Sequence, residues 1–269
     1  MTAALLSDLP AVELDRSERL AAMRSGEVGA VHSWELVTAV DGPGTRMTTF
    51  LTGCPLRCLY CQNPDTWQMR DGTEVRAEDL LARIARYRPV FEMTGGGITL
   101  SGGEPLMQPR FVARVMRGAK EMGLRTALDT SGFLGAAATD EMLDDVDLVL
   151  LDVKAGDEET YRRATGRALQ PTVDFGDRLA ARGTEVWVRF VLVPGLTDAE
   201  QNVDDVARLV SRWPNVSRVE VLPFHQMGRE KWERLGVGYA LTDVAPPSPE
   251  LVARVRHQLE AHGLPTYVG

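Results

Sequence analysis

The sequence predicts an α/β protein whose mainly parallel sheet is curved or partly closed into a barrel rather than open and doubly wound. Three observations predict it. Short apolar runs alternate with helix-patterned segments from Met47 to Leu259. Runs such as Leu148–Leu151 and Val186–Val193 are apolar throughout, as strands covered on both faces are. Cys54, Ser101–Glu104, Asp129, Asp152 and His225 each follow the apolar part of a run, and parallel α/β folds assemble their sites at those strand ends. Alternation alone is common to both architectures.

In chain order, residues 1–29 read as an N-terminal extension, partly helical around Ser17–Met23 and expected to be poorly ordered. Asp41–Gly44 is a turn signal, and Met47–Thr52 a strand leading into the cysteines. Leu80, Leu81, Ile84 and Ala85 share a helical face that Pro89 is expected to end. Ile98–Leu100 is a strand; Pro109 then opens a helix with Val112, Val115, Met116 and Ala119 inward and Gly123 at its end. Thr126–Leu128, Leu148–Leu151, Val186–Val193 and Val219–Leu222 are further strands. Thr197–Glu200 has the form of a capping box before Val203, Val206 and Val210. Ser248-Pro249 caps a final helix with Leu251, Val255 and Leu259 inward, and Gly263 ends it. No linker or composition break divides residues 30–269, so they read as a single domain of about six strand–helix units.

Bulk properties exclude several classes. The 269 residues carry a net charge of −8, which gives no basic footprint for nucleic acid. No apolar run approaches the ~20 residues of a membrane helix, and the N-terminal stretch lacks the pattern of a secretory signal. Three clustered cysteines argue against a disulfide framework. A reducing cytoplasm is the expected location.

Those cysteines, Cys54, Cys58 and Cys61, are the only ones and follow C-x3-C-x2-C spacing. Three thiolates can hold three irons of a [4Fe–4S] cluster, leaving one iron open, whereas electron-carrying clusters normally use four cysteines. Structural zinc, which normally closes with four ligands, and three inert thiols are the competing readings. Gly95–Gly97 and Gly102-Gly103 flank one strand, as a close backbone approach to a ligand or merely a tight turn requires. Glu104 could accept from a cationic amine, and Asp129 and Asp152 could hold a small cation or cap loops. Lys154 points to the same side as Asp152. His225, taken alone, reads more often as structural, and Trp67, Trp187, Trp213 and Trp232 read mainly as packing.

At this point the chain resembles a known family. The segments are Asp41–Arg46 (DGPGTR), Cys54–Trp67 (CPLRCLYCQNPDTW), Gly95–Pro105 (GGGITLSGGEP), Leu128–Gly132 (LDTSG), Leu148–Lys154 (LVLLDVK), Val193–Gly195 and Leu222–His225 (LPFH). In that order they are similar to the radical S-adenosylmethionine enzymes, and within these to the activating enzymes of glycyl radical proteins, closest to those acting on pyruvate formate-lyase. The resemblance implies a partial (β/α)6, TIM-like barrel with a radical SAM core. It implies a [4Fe–4S] cluster on Cys54, Cys58 and Cys61 whose open iron is chelated by S-adenosyl-L-methionine, reductive cleavage of that cofactor to a 5′-deoxyadenosyl radical, and hydrogen abstraction from a glycine of the partner. Tyr60, Cys61, Gln62, Gly102, Gly103, Glu104, Asp152, Val153, Lys154 and His225 would line the cofactor site. Asp129, Thr130, Asp152 and the backbone at Leu150 would hold a monovalent cation, K+ or Na+.

The resemblance also implies a flavodoxin or ferredoxin as electron donor, with Arg57 a candidate contact. Activators of other glycyl radical enzymes often carry an inserted ferredoxin-like segment with additional cysteines, absent here. One departure stands out: Gln62 occupies a position that is histidine in the best-known members, and it is expected to act mainly through its backbone. Activation of another glycyl radical protein, radical chemistry on a small molecule, and a zinc-binding module without catalysis are the rival functions. Iron and zinc analysis, and dependence on a partner protein, separate them.

Overall fold

The computed structural model describes residues 9–269 except Ala11, Ala39 and Val40. The described chain divides into two compact units. The first holds the residues up to Cys54, Thr66–Thr130 and Ala137–Val149; the second holds Pro55–Asp65, Ser131–Ala136 and Leu150–Gly269. The sequence reading expects one domain over residues 30–269, with no division inside it.

The first unit opens with α1 (Arg16–Ser25) and β1 (Val28–Thr38), then β2 (Thr45–Leu51), β3 (Thr73–Arg76), α2 (Ala77–Ala85), α3 (Arg88–Thr94), β4 (Gly97–Gly102), α4 (Pro109–Glu121), β5 (Arg125–Thr130) and α5 (Asp140–Asp144). Its strands run in the order β3-β1-β2-β4-β5. The β3–β1 and β1–β2 pairs are antiparallel, with Leu36 opposite Met47. The β2–β4 and β4–β5 pairs are parallel, aligning Met47 with Ile98 and Ile98 with Thr126. Val112, Val115, Met116 and Ala119 of α4 are fully buried, as their helical spacing requires.

Two expectations for this unit change. Folded structure begins before residue 30, because α1 is locally well specified. Asp15 accepts from the Ser17 and Glu18 amides at 2.7 and 2.9 Å, and Glu18 returns a bond to the Asp15 amide at 3.0 Å. Gly26 then turns the chain at φ +79°, where a Cβ would fall 2.4 Å from the Arg110 carbonyl group; only glycine brings the chain so near α4. Pro89 does not simply end a helix: it lies in the first turn of α3, where its missing N–H is no loss. The rest of the expected extension, residues 1–8 and 11, lies outside the described residues.

Arg46 is 1 % exposed. Its Nε donates to Thr99 Oγ1 at 2.7 Å, and its guanidinium also donates to the carbonyls of Pro43 (3.2 Å) and Ile98. Thr99 Oγ1 donates in turn to the Asp41 carbonyl at 2.7 Å, and Thr48 Oγ1 donates to the Asp41 carboxylate at 3.0 Å. The Asp41–Gly44 turn is thus pinned from inside. Burial lowers the Arg46 pKa to about 10. Arg46→Ala removes this donor from several buried acceptors and lowers the unfolding free energy by about 3 kcal/mol, measured by urea denaturation.

In the second unit β6 (Leu148–Asp152), whose first two residues count with the first unit, is followed by α6 (Glu158–Thr165), α7 (Gln170–Arg182), β7 (Glu185–Leu192), α8 (Glu200–Val210), β8 (Val216–Pro223), α9 (Arg229–Arg234), α10 (Pro249–Ala261) and β9 (Thr266–Val268). Strand order is β6-β7-β8-β9. The β7–β8 and β8–β9 pairs are parallel, matching Phe190 with Val221 and Val221 with Val268. Val203, Val206, Val210, Val255 and Leu259 are buried from the helices. The Arg218 guanidinium lies between the rings of Trp187 and Tyr267, at 4.5 and 4.2 Å from their centroids, fastening the short C-terminal strand.

The capping box at Thr197–Glu200 does not form. Ala199 is the N-cap of α8 and offers no side-chain bond. Thr197 Oγ1 instead accepts from the Val193 amide and donates to the Val191 carbonyl, both at 2.8 Å, while Asp198 accepts from the Gly195 amide at 2.7 Å. These side chains serve the turn after β7 rather than the helix. Among the described residues, no helix is long and apolar enough to cross a membrane.

Candidate active site

In the first unit the parallel β2, β4 and β5 end on one edge of the sheet, and each delivers expected residues there. Cys54 follows β2; Gly102 ends β4, with Gly103 and Glu104 next; Asp129 and Thr130 end β5. The stem of the cysteine loop is closed by backbone bonds from Gly53 N to Thr66 O (2.7 Å) and from Cys54 N to Trp67 O (3.1 Å). The glycine pair has a specific cause. A Cβ on Gly102 would lie 2.3 Å from the Leu51 amide nitrogen, and one on Gly103 would lie 2.5 Å from the Gly53 carbonyl oxygen. Side chains here would push the end of β4 off the stem that carries Cys54.

Glu104 is fully buried. Its Oε1 accepts from Thr130 Oγ1 at 2.6 Å and from the Leu106 amide at 3.1 Å. Ser101 Oγ donates to Asp129 Oδ2 at 2.6 Å. The structure thus brings the acidic residues of adjacent strand ends together with a hydroxyl partner for each.

In the second unit the outer part of the cysteine loop is held by α6. The amides of Arg57 and Leu59 donate to the carbonyls of Thr165 (2.8 Å) and Ala164 (2.9 Å), the last of α6, and the Cys61 amide turns back to the Cys58 carbonyl at 3.1 Å. Helix ends leave such carbonyls without intrahelical donors, so α6 is a ready mount for the loop. Arg167 Nε adds a bond to the Pro55 carbonyl at 2.7 Å.

Tyr60, 4 % exposed, stands beneath Lys154, whose Nζ is 5.9 Å from the ring centroid and 2.6 Å from Asp152 Oδ2. Burial pushes the Tyr60 phenol well above its ordinary pKa, against the pull of the Lys154 ammonium. Burial, the largest single influence, would lower the Lys154 pKa, but Asp152, Tyr60 and Cys58 together outweigh it and the result lies well above the ordinary value. Val153 is fully buried, its amide donating to the Arg189 carbonyl at 3.0 Å. Leu150 is also fully buried, its apolar side chain part of the core. His225 follows β8, and its backbone carbonyl accepts from Gln62 Nε2 at 3.0 Å.

Sequence reasoning missed several neighbours of the third cysteine. Trp232, read as packing, donates from its indole nitrogen to the Cys61 carbonyl at 2.9 Å. Lys231 Nζ reaches Asn63 Oδ1 at 2.7 Å and Asp65 Oδ1 at 3.2 Å. Both sit on α9, and nothing in their spacing ties them to a loop so far back in the chain. Gln62 engages through its side chain as well as its position in the backbone.

The donor set fits the groups the sequence implies. None of the three cysteines is in a disulfide, Cys58 is buried, and soft thiolates suit iron–sulfur clusters. No group of three or more His, Cys, Asp or Glu side chains among the described residues is placed to hold a single metal ion; a cubane differs in spreading its thiolates over separate irons. The buried Tyr60 hydroxyl has no hydrogen-bond partner among the described residues. Such an orphan fits a bound polar molecule at that place.

Comparison with known proteins agrees. Residues 48–207 match the Radical SAM superfamily, and the chain belongs to it. A radical SAM methyltransferase from Sphaerobacter thermophilus, 18% identical, shares the fold at a TM-score of 0.59 over 95% of this chain and 82% of that one. The pyruvate formate-lyase-activating enzyme of Clostridium pasteurianum is 44% identical over 81% of this chain and 91% of its own length. The pyruvate formate-lyase 1-activating enzyme of Escherichia coli (strain K12) is 40% identical over 88% and 97%. Within the superfamily the chain is a member of the family these activating enzymes form.

Proposed function

We propose that this protein activates pyruvate formate-lyase by installing a radical on one of its glycines. The reading is carried by the three cysteines of the sequence standing at C-x3-C-x2-C spacing on the loop after β2, in a chain similar to named activating enzymes over most of their length. Cys54, Cys58 and Cys61 would hold a [4Fe–4S] cluster and leave one iron for S-adenosyl-L-methionine. When bound, that pair supplies a one-electron route to hydrogen-atom abstraction from glycine.

The remaining chemistry belongs to this chain's side chains. Glu104, already oriented by Thr130 and the Leu106 amide, offers a preorganised carboxylate to a cofactor amine. Lys154, held by Asp152, keeps its proton at neutral pH and orients polar cofactor groups beside Tyr60. Gly102 and Gly103 admit the backbone close to a ligand, and Tyr60, Cys61, Gln62, Val153 and His225 line the cofactor. Asp129 and Asp152 each offer hard oxygens to K+ or Na+, with Thr130 and the Leu150 carbonyl as further donors. A flavodoxin or ferredoxin supplies the electron, with exposed Arg57 a contact on the cluster loop. Clustered cysteines outside any disulfide suit a cytoplasmic location.

The test is anaerobic incubation of reconstituted protein with S-adenosyl-L-methionine, a reductant and pyruvate formate-lyase, followed by electron paramagnetic resonance. A glycine-centred doublet that requires all the components is expected. Cofactor turnover with no protein radical would contradict the assignment.

A further inference from the structure

We propose that Gln62 is a positioning residue for S-adenosyl-L-methionine, acting through His225. The inference rests on the cofactor reading above. Gln62 Nε2 donates to the His225 carbonyl at 3.0 Å and leans on the Tyr60 carbonyl at 3.4 Å. An amide carries two N–H donors on one nitrogen, whereas a neutral imidazole carries a single N–H. Glutamine can therefore serve both carbonyls at once, binding the loop of the third cysteine to the strand end that carries His225.

The rest of the contact is built around this bond. Gly228 is buried against Gln62: a Cβ there would lie 2.9 Å from both Cα and Oε1 of Gln62 and 3.0 Å from its carbonyl oxygen. Trp232 and Lys231 add their bonds to Cys61, Asn63 and Asp65. The His225 ring is oriented as well, its Nδ1 accepting from the Met227 amide at 3.4 Å. With Nδ1 an acceptor, the ring proton is carried on Nε2. Gln62 thus fixes the height of His225 relative to Cys61 before any ligand arrives, and the cofactor meets both groups already in place.

Two substitutions test this. Gln62→Met keeps the length and loses the donors; Gln62→Glu replaces the amide with a group that accepts only, facing two carbonyls. In anaerobically reconstituted protein, S-adenosyl-L-methionine should bind about 10-fold more weakly to Gln62→Met and weaker still to Gln62→Glu. Iron content should stay within about twofold of wild type, and the loss in kcat/KM should fall mainly on KM. In cluster-free protein, the amides of residues 226–232 should exchange with deuterium about 10-fold faster in both variants. Unchanged affinity and unchanged exchange in both variants would overturn the inference. Loss of iron in step with affinity would also overturn it, by assigning Gln62 to the cluster. Should wild-type protein itself fail to bind the cofactor, the functional reading falls, and the exchange measurement still decides whether Gln62 makes the tie.

Discussion

Cys58→Ser loses iron and all glycyl radical formation while remaining folded. Cys58 is the buried member of the three thiols, and its neighbours Arg57 and Leu59 are pinned by backbone bonds to α6. Those bonds involve no sulfur, so the loop keeps its conformation without the thiol. A serine hydroxyl is a hard, weakly acidic donor where a soft thiolate is required. On the proposed reading, two remaining cysteines cannot retain a cluster that three would hold with one iron already open. Iron and acid-labile sulfide after anaerobic reconstitution should fall to background, with the far-ultraviolet circular dichroism of wild type. A variant that kept full iron and activity would show that the cluster is not bound as described.

The second large effect is expected at Asp152. Asp152→Ala leaves the Lys154 ammonium, whose side chain is only 12% exposed, without the carboxylate now 2.6 Å away. Breaking a largely buried pair is strongly destabilising, here by about 3 kcal/mol, because the surviving charge stays poorly solvated. On the proposed reading the same change displaces Lys154 and weakens S-adenosyl-L-methionine by about 100-fold. Asp152→Asn, which retains an oxygen to accept from Lys154, should recover most of the stability and only part of the affinity. Iron content should be unaffected in both, since the carboxylate is not a cluster ligand. A folded Asp152→Asn variant without iron would contradict that role, as would one with unaltered cofactor affinity.

The strand ends were legible because their chemistry is local in sequence. An apolar run followed by Cys54, by Gly102-Gly103-Glu104 or by Asp129 identifies both the strand and its polar end, and the parallel pairs of the first unit put those three ends on one edge. Antiparallel β1 and β3 were not expected. Their partners lie on either side of the cysteine loop, and Val28 and Gly29 fell within a segment taken for an extension. Thr197 could be read as a helix cap from its spacing to Glu200, but the turn after β7 captures its hydroxyl.

Within the site, residue types were legible and tertiary partners were not. Glu104 was expected at a cofactor amine, but nothing in the sequence pairs its carboxylate with Thr130 across two strands. Arg46 belongs to a recognisable segment, yet its burial depends on the Ile98 carbonyl and the Thr99 hydroxyl of β4, which no pattern reveals. Gln62 was expected to contribute mainly its backbone. Its amide reaches His225 only because Gly228 lets α9 approach, a contact between residues distant in sequence and set entirely by packing.

The most direct test of the central claim is Mössbauer spectroscopy of protein reconstituted anaerobically with iron-57, before and after S-adenosyl-L-methionine is added. With three thiolates and one open corner, one iron site in four should change its isomer shift on addition while the other three stay as they were. A spectrum in which no iron responds to the cofactor, or a protein that takes up zinc and no iron, would contradict it.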